Sequence, residues 1–316
     1  MAKPVVVISG GAGFLGSHLC DSYINKGYRV IALDDLSTGA QTNIAHLRHN
    51  PDFSFIEHDI CRQLPKSLFQ QNISIVANLA SPASPPQYQR LAIETLKVGS
   101  TGVLNMLELA RHKGARFLQA STSEVYGDPK IHPQPENYWG NVNSYGPRSM
   151  YDESKRFAEA VIYVYRTRYK LDTAVVRIFN TYGPRMEPGD GRVVSNFIVQ
   201  ALHTQPLTIY GKGSQTRSFC YVDDLIDGFI AMIESGQEGP INLGNPTEFT
   251  VFELAKLVQK LTSSKSKIVY TALPEDDPIK RKPAIDKAKK LLKWEPHTTL
   301  EVGLKKTINY FEKLSQ

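Results

Sequence analysis

Short apolar runs alternate with longer amphipathic stretches through the first 180 residues. The runs 4–9, 28–34, 53–57, 73–80, 115–121 and 173–179 are rich in Val, Ile, Ala and Leu and read as strands. Between them, 14–26, 89–112 and 150–170 read as helices. Strands alternating with helices build parallel βαβ units, so the pattern predicts an α/β fold with a Rossmann-type doubly wound parallel sheet. Beyond residue 180 the rhythm breaks. Gly and Pro punctuate 183–191, 206–213, 236–246 and 274–283, with helices predicted over 193–203, 222–234, 250–261 and 284–292. This predicts a first domain over 1–180, with returning segments near 217–244. A smaller C-terminal α/β lobe takes 181–216 and 245–316. No internal repeat or low-complexity segment is visible.

Composition narrows the class. Of 316 residues, 41% are hydrophobic and 22% charged, which excludes a disordered or fibrous chain. No apolar run approaches the ~18 residues that span a bilayer, so no membrane role is expected. The apolar strand starts almost at Met1, with neither a charged leader nor a small-residue cleavage site, and a cytoplasmic location is expected. Cys20, Cys61 and Cys220 are odd in number and lack metal-ligand spacing, so they are expected to be reduced thiols with no metal bound. The sequon Asn72-Ile73-Ser74 heads an apolar strand and reads as chance. The net charge of +6 raises the question of nucleic acid. Lys287, Lys289, Lys290 and Lys293, however, have no interleaved aromatics and fit the wet face of a helix that carries Ala288, Leu291 and Leu292. A mildly positive surface suits a small polyanionic substrate instead.

Candidate chemistry begins at Gly10-Gly11-Ala12-Gly13-Phe14-Leu15-Gly16, directly after the first strand and opening the first helix. Small residues there let the backbone approach a pyrophosphate, while the helix N-terminus offers unpaired N–H groups and a favourable dipole. The second strand ends at Leu33-Asp34. A carboxylate at that place accepts ribose hydroxyls and repels a 2′-phosphate, so NAD is expected over NADP. Asp35 is the alternative ribose ligand, and only one of two adjacent strand residues can face the site. Asp59, after the third strand, is a candidate for the adenine edge.

Tyr151 and Lys155 lie four residues apart at the start of the helix 150–170, so phenol and ammonium share one face. A free phenol titrates near 10, and a neighbouring ammonium and a positive nicotinamide ring would lower it. Tyr151 could then take a hydroxyl proton from a sugar as a hydride leaves the same carbon. The run Ser121-Thr122-Ser123-Glu124 follows the fifth strand, at the carboxyl end where such sheets bind ligands.

Together the glycine turn, Thr122 and the Tyr151/Lys155 pair resemble the extended short-chain dehydrogenase/reductases. A narrower resemblance runs through nearly the whole chain. The stretches 80–86 (ASPASPP), 121–129 (STSEVYGDP), 177–186 (RIFNTYGPRM), 190–197 (DGRVVSNF) and 213–217 (GSQTR) are similar to those of the UDP-glucuronate decarboxylase (UDP-xylose synthase) family. The resemblance implies NAD-dependent decarboxylation of UDP-glucuronate to UDP-xylose through a 4-keto intermediate, with NAD recycled internally. Tyr151 would be the base and Lys155 its partner, also holding the nicotinamide ribose. Thr122 would polarise the C4 hydroxyl. Glu124 would sit beside the sugar, and Ser123 would contact it where related dehydratases carry an aspartate that serves as acid. Asn180, Arg192, Arg217 and Arg281 would bind the diphosphate and nearby sugar, as guanidinium is suited to do. Arg217 could also take part in proton delivery. Tyr210 completes the expected substrate site, with Ile60 and Leu79 expected in the cofactor site beside Gly10, Gly13, Phe14, Leu15, Gly16, Asp34 and Asp59. The first domain would thus bind NAD and the second lobe the UDP-sugar. Relatives pair as homodimers through the helices equivalent to 89–112 and 150–170, where Val161, Ile162, Val164 and Tyr165 could serve, though core packing explains these four almost as well. The sequence departs from the family pattern at Gly99 (usually Asn or Ser), Ser154 (often Gly) and Ala284 (often Asp). Alternatives are a sister UDP- or dTDP-sugar 4-epimerase or 4,6-dehydratase, and a nucleotide-binding sensor without catalysis.

Overall fold

The computed structural model describes residues 3–272 and 280–314. Six strands of the first half form as the apolar runs predict: β1 (Val5–Ser9), β2 (Arg29–Asp34), β3 (Phe53–Glu57), β4 (Ile73–Asn78), β5 (Arg116–Thr122) and β6 (Thr173–Ile178). The remaining strands are β7 (Thr181–Tyr182), β8 (Leu207–Tyr210), β9 (Thr216–Ser218), β10 (Cys220–Tyr221), β11 (Ile241–Leu243), β12 (Glu248–Thr250), β13 (Ile268–Thr271) and β14 (Lys280–Arg281). The central sheet has seven strands in the order β11-β6-β5-β4-β1-β2-β3, with every pair parallel. Its order reverses between β1 and β4, which makes the crevice at their carboxyl ends the expected ligand site. β11 comes from the segment expected to return to the first domain.

The strands are apolar on both faces because helices cover both. Along β1, Val6 and Ile8 enter one core while Val5 and Val7 enter the other, and Val30/Ala32 and Ile31/Leu33 of β2 divide the same way. The first core also takes Phe197, Leu254, Leu304 and Phe311 from the C-terminal lobe, so the lobe is built onto one side of the sheet.

The helices are α1 (Phe14–Asn25), α2 (Lys66–Phe69), α3 (Pro85–Arg90), α4 (Ala92–Lys97), α5 (Val103–Lys113), α6 (Ser149–Tyr169), α7 (Val193–Leu202), α8 (Val222–Glu234), α9 (Val251–Leu261), α10 (Asp286–Leu292) and α11 (Leu300–Leu314). The single helix expected over 89–112 is α3, α4, a π-helical turn at Val98–Gly102 and α5. Pro85 and Pro86 start α3 early, at positions where a missing N–H costs nothing, and Leu91 leaves helical geometry between α3 and α4. α11 escaped the sequence reading although Leu300, Leu304, Ile308 and Phe311 recur at helical spacing and are buried. α9 begins with a reciprocal Thr250/Glu253 capping box. Ala288 and Leu292 are buried under α10 while Lys289, Lys290 and Lys293 stay in solvent. Of the punctuated stretch 274–283, residues 274–279 lie outside the described residues. Among the described residues no helix is long and apolar enough to cross a membrane. Cys20 and Cys220 are buried free thiols and Cys61 is half-buried.

Candidate active site

One cavity of about 1060 Å³ runs from the β1 turn to the C-terminal lobe, and every site residue expected from sequence lines it. At one end lies the glycine turn. Gly10 has φ +72°, and a side chain there would meet the backbone of Ala80 at 2.9 Å; one on Gly16 would stand 1.9 Å from the Gly10 carbonyl. These glycines let the turn press against the end of β4 and let α1 start directly over it. No acidic residue occupies the first turn of α1, so its positive end is left for an anion. Phe14, Leu15 and Leu79 line the same end.

The Asp34 carboxylate is buried at the end of β2. It accepts the backbone N–H of Ala12 at 3.0 Å and of Leu36 at 2.9 Å. A carboxylate has about four lone-pair sites, and the space over this one stays clear because residue 39 is glycine: a Cβ there would stand 2.7 Å from Asp34 Oδ1. That open cradle fits a ribose diol, and the buried negative charge disfavours a 2′-phosphate. Burial raises the carboxyl above its ordinary range, though backbone N–H groups oppose this. Asp35 is exposed and folds back to accept the N–H and hydroxyl of Ser37 at 3.0 and 2.7 Å, which leaves Asp34 as the ribose candidate. Asp59 accepts the Cys61 N–H at 2.8 Å, and buried Ile60 packs against the π turn. Replacing Asp34 by Ala is expected to weaken NAD binding roughly 10- to 100-fold, at a cost of a charge-assisted contact or two. Titration of the quenching of Tyr/Trp fluorescence by NAD checks this; unchanged affinity would move the ribose elsewhere.

Catalytic candidates gather where β5 ends and α6 begins. Tyr151 is buried, with Thr122 close enough to its hydroxyl to favour the ionised phenol. Thr122 Oγ1 also accepts the Glu124 N–H at 3.2 Å, capping the 3₁₀ turn Ser123–Tyr126. Lys155 is buried, donates to the Ala120 carbonyl at 2.9 Å, and stands 5.6 Å from the centre of the Tyr151 ring. Burial lowers its pKa to about 8. The expected lowering of the phenol pKa is not what the protein groups produce. Burial pushes it well up and the Glu124 carboxylate adds to that, while Thr122 and Arg192 only partly oppose it. The ammonium is held on a backbone carbonyl, so lowering is left to the cationic ring of a bound dinucleotide.

Glu124 does not stand open beside the cavity. Arg148 donates to Oε2 at 2.8 Å, and Arg281 forks across both oxygens, with its second bond at 3.0 Å to Oε2. Burial alone would raise this carboxyl, but Arg281 and Arg148 overcome it and hold it at about 2. Arg281, expected at a diphosphate, is thus spent largely on Glu124. In the lobe sheet Arg281 of β14 is in register with Arg217 of β9, which is buried and donates to the Thr216 carbonyl at 3.0 Å. Arg192 is paired with Asp190 and lies 5.7 Å over the Phe14 ring, between the two ends of the cavity. Asn180, at the end of β6, and Ser123 line the middle, while Tyr210 stands half in solvent at the rim.

Three residues of this centre were missed in the sequence. Tyr88 of α3 stacks on Tyr151 with ring centres 5.0 Å apart and planes 8° from parallel, and the Arg148 guanidinium lies 5.9 Å from the Tyr88 ring. Asp152 is buried beside the cluster, with an Oδ1 that finds no hydrogen-bond partner among the described residues. Burial, then Glu124, raises its pKa to about 8. Arg148 carried a usable signal, since it sits three residues ahead of Tyr151 at the mouth of the same helix.

A doubly wound sheet, a dinucleotide cradle at its switch point and a tyrosine–lysine pair over the neighbouring strand define a dehydrogenase-type enzyme of the short-chain class. The NAD dependent epimerase/dehydratase family matches residues 6–244. The chain is 50% identical over 308 residues to UDP-glucuronic acid decarboxylase 1 of Xenopus tropicalis, covering 98% of this chain and 72% of that protein. Among solved structures it is similar to a UDP-glucose 4-epimerase of Thermotoga maritima bound to UDP-glucose, with TM-score 0.90 and 32% identity over 99% of this chain and 100% of that one. A UDP-glucuronic acid 4-epimerase of Bacillus cereus in complex with UDP-glucuronic acid and NAD gives TM-score 0.89 and 29% identity over 98% and 99%. This chain belongs to the NAD dependent epimerase/dehydratase family.

Proposed function

We propose that this protein decarboxylates UDP-glucuronate to UDP-xylose, with NAD as a resident cofactor. The carrying observation is 50% identity over 98% of the chain to a protein named for that activity, in a chain whose cavity holds the complete Tyr/Lys/Thr set. The NAD site takes Gly10, Gly13, Phe14, Leu15, Gly16, Asp34, Asp59, Ile60, Leu79 and Lys155; when bound, NAD accepts a hydride from C4 of the sugar and later returns it. Ser123, Asn180, Arg192, Tyr210, Arg217 and Arg281 form the UDP-sugar side, of which Arg192, Tyr210 and Arg281 come from the lobe of 181–216 and 245–316.

Tyr151 takes the C4 hydroxyl proton while Thr122 holds the oxygen. The C4 ketone is then β to the C6 carboxylate, so CO2 departs and leaves an enolate instead of a bare carbanion. Hydrogen bonds from Thr122 and Tyr151 to the enolate oxygen strengthen as its charge develops. A proton is added at C5, and Tyr151 returns its own to the C4 oxygen. One proton is consumed and one CO2 released per turnover.

The site disfavours a 4,6-dehydratase. Expelling water needs an acid, and Glu124, the carboxyl at this part of the cavity wall, is held anionic by two arginines while Ser123 stands where dehydratases carry the neighbouring acid; the buried Asp152 does not line the cavity. A 4-epimerase uses the same Tyr/Thr geometry and is the second reading, favoured by the solved neighbours. Purified protein given UDP-glucuronate and NAD is expected to release CO2 and yield a UDP-pentose. A UDP-hexuronate epimer with no CO2 would establish the second reading, and tight binding with no turnover a sensor.

The same reading makes the protein a cytoplasmic homodimer that engages neither membrane nor nucleic acid. Free thiols suit a reducing compartment. Ile93 and Leu96 of α4 with Phe157 and Val164 of α6 are exposed apolar residues suited to a partner's face. Ile162 and Tyr165, which the sequence leaves open between a partner's face and core packing, are buried in the protein's own core.

A further inference from the structure

Gly99 and Ser154 stand in the sequence as two unrelated departures from the family pattern, and in the fold they meet. A Cβ on Gly99 would lie 2.5 Å from Ser154 Cβ, 2.8 Å from its Oγ and 3.2 Å from its Cα. The first two separations are closer than such atoms approach, and the third is a tight contact. Only one of the two positions can therefore carry a side chain at this crossing of the π turn and α6. The Ser154 hydroxyl is buried and donates to the Tyr151 carbonyl at 2.8 Å, and the next residue is Lys155. Neither Gly99 nor Ser154 lines the cavity, so neither meets substrate. A π turn is an irregular stretch that accommodates a local packing demand.

We propose that Ser154, seated in the notch left by Gly99, is a positioning residue that sets how closely α6 brings Tyr151 and Lys155 to the end of β5. The physical reason is leverage. Tyr151, whose carbonyl accepts the Ser154 hydroxyl, and Lys155, which reaches the Ala120 carbonyl, lie within the single turn of α6 that carries Ser154. A side chain at 99 would push that turn away from the π turn and shift both groups together. The proposal rests on the catalytic reading of Tyr151 and Lys155.

The test is a cycle in the full-length chain: Gly99→Ala, Ser154→Gly, Ser154→Ala, and the two doubles that combine Gly99→Ala with each. Turnover of UDP-glucuronate with saturating NAD gives kcat and KM, and thermal melting runs alongside. Gly99→Ala is expected to lose roughly 10- to 100-fold in kcat with KM nearly unchanged, as for a sub-ångström to 1 Å misplacement of reacting groups. Adding Ser154→Gly should restore kcat to within about 3-fold of Ser154→Gly alone. Adding Ser154→Ala should restore nothing, because the Cβ that clashes is still there. Independent, additive effects overturn the proposal, as does a Gly99→Ala protein that melts lower yet keeps its kcat. If Gly99→Ala fails to fold, the comparison of the two doubles decides: equal kcat in both overturns it. Failure of the parent reading shows separately, as a wild-type chain that releases no CO2 from UDP-glucuronate.

Discussion

Tyr151→Phe is expected to lower kcat about 10³-fold while KM for the UDP-sugar and affinity for NAD stay close to wild type. The substitution is unusually clean here. Phenylalanine keeps the ring that stacks on Tyr88 at 5.0 Å and fills the same buried space. Only the hydroxyl goes, and Thr122 still caps the Glu124 N–H. Stability should therefore change little, while the group that takes the C4 proton is removed. General-base contributions of 10²- to 10⁴-fold set the scale, and 10³ corresponds to about 4 kcal/mol of barrier. Stopped assays of CO2 release, with NAD titrated by fluorescence, check both halves. Retained turnover would dismiss Tyr151 as the base.

Local signals made much of this legible. The glycine turn, the strand-end Asp34 and the Tyr151/Lys155 spacing each occupy one short stretch, so residue order alone places them on one turn or one face. The apolar runs predicted β1 to β6 within two residues because parallel strands buried on both faces need unbroken apolar sequence. What stayed hidden depends on pairing between distant segments. Tyr88 lies ahead of the helix expected over 89–112, in α3, which starts at Pro85, and its ring stacks on Tyr151. Glu124 is expected only to sit beside a sugar, and its ion pair becomes visible when β14 carries Arg281 back to it across the lobe sheet. The short strands of the lobe pair in twos and threes and carry too few residues for a period to show.

That arginine-clasped carboxylate yields the second large effect. Glu124→Gln is expected to destabilise the fold by about 3–5 kcal/mol, the cost of breaking a buried ion pair by removing one partner. Glutamine keeps the shape but presents a neutral amide to Arg148 and Arg281, which remain cationic. In an Arg281→Gln background the same change should cost much less, since the guanidinium that forks across both Glu124 oxygens is already gone. The wild type should show the corresponding pH dependence. Glu124 titrates at about 2 in the fold against an ordinary 4.5. A depressed carboxyl stabilises above its unfolded pKa, so this contribution, about 3 kcal/mol at most, is present above pH ~4.5 and fades as pH falls towards 2. Asp152, raised to about 8, works with the opposite sign: its burial costs stability progressively as pH rises from about 4 to 8. Urea unfolding at pH 3 and pH 6 should therefore show the gap between wild type and Glu124→Gln narrowing in acid. A gap that stays constant would mean that the two arginines, and not the charge on Glu124, hold this corner of the site together.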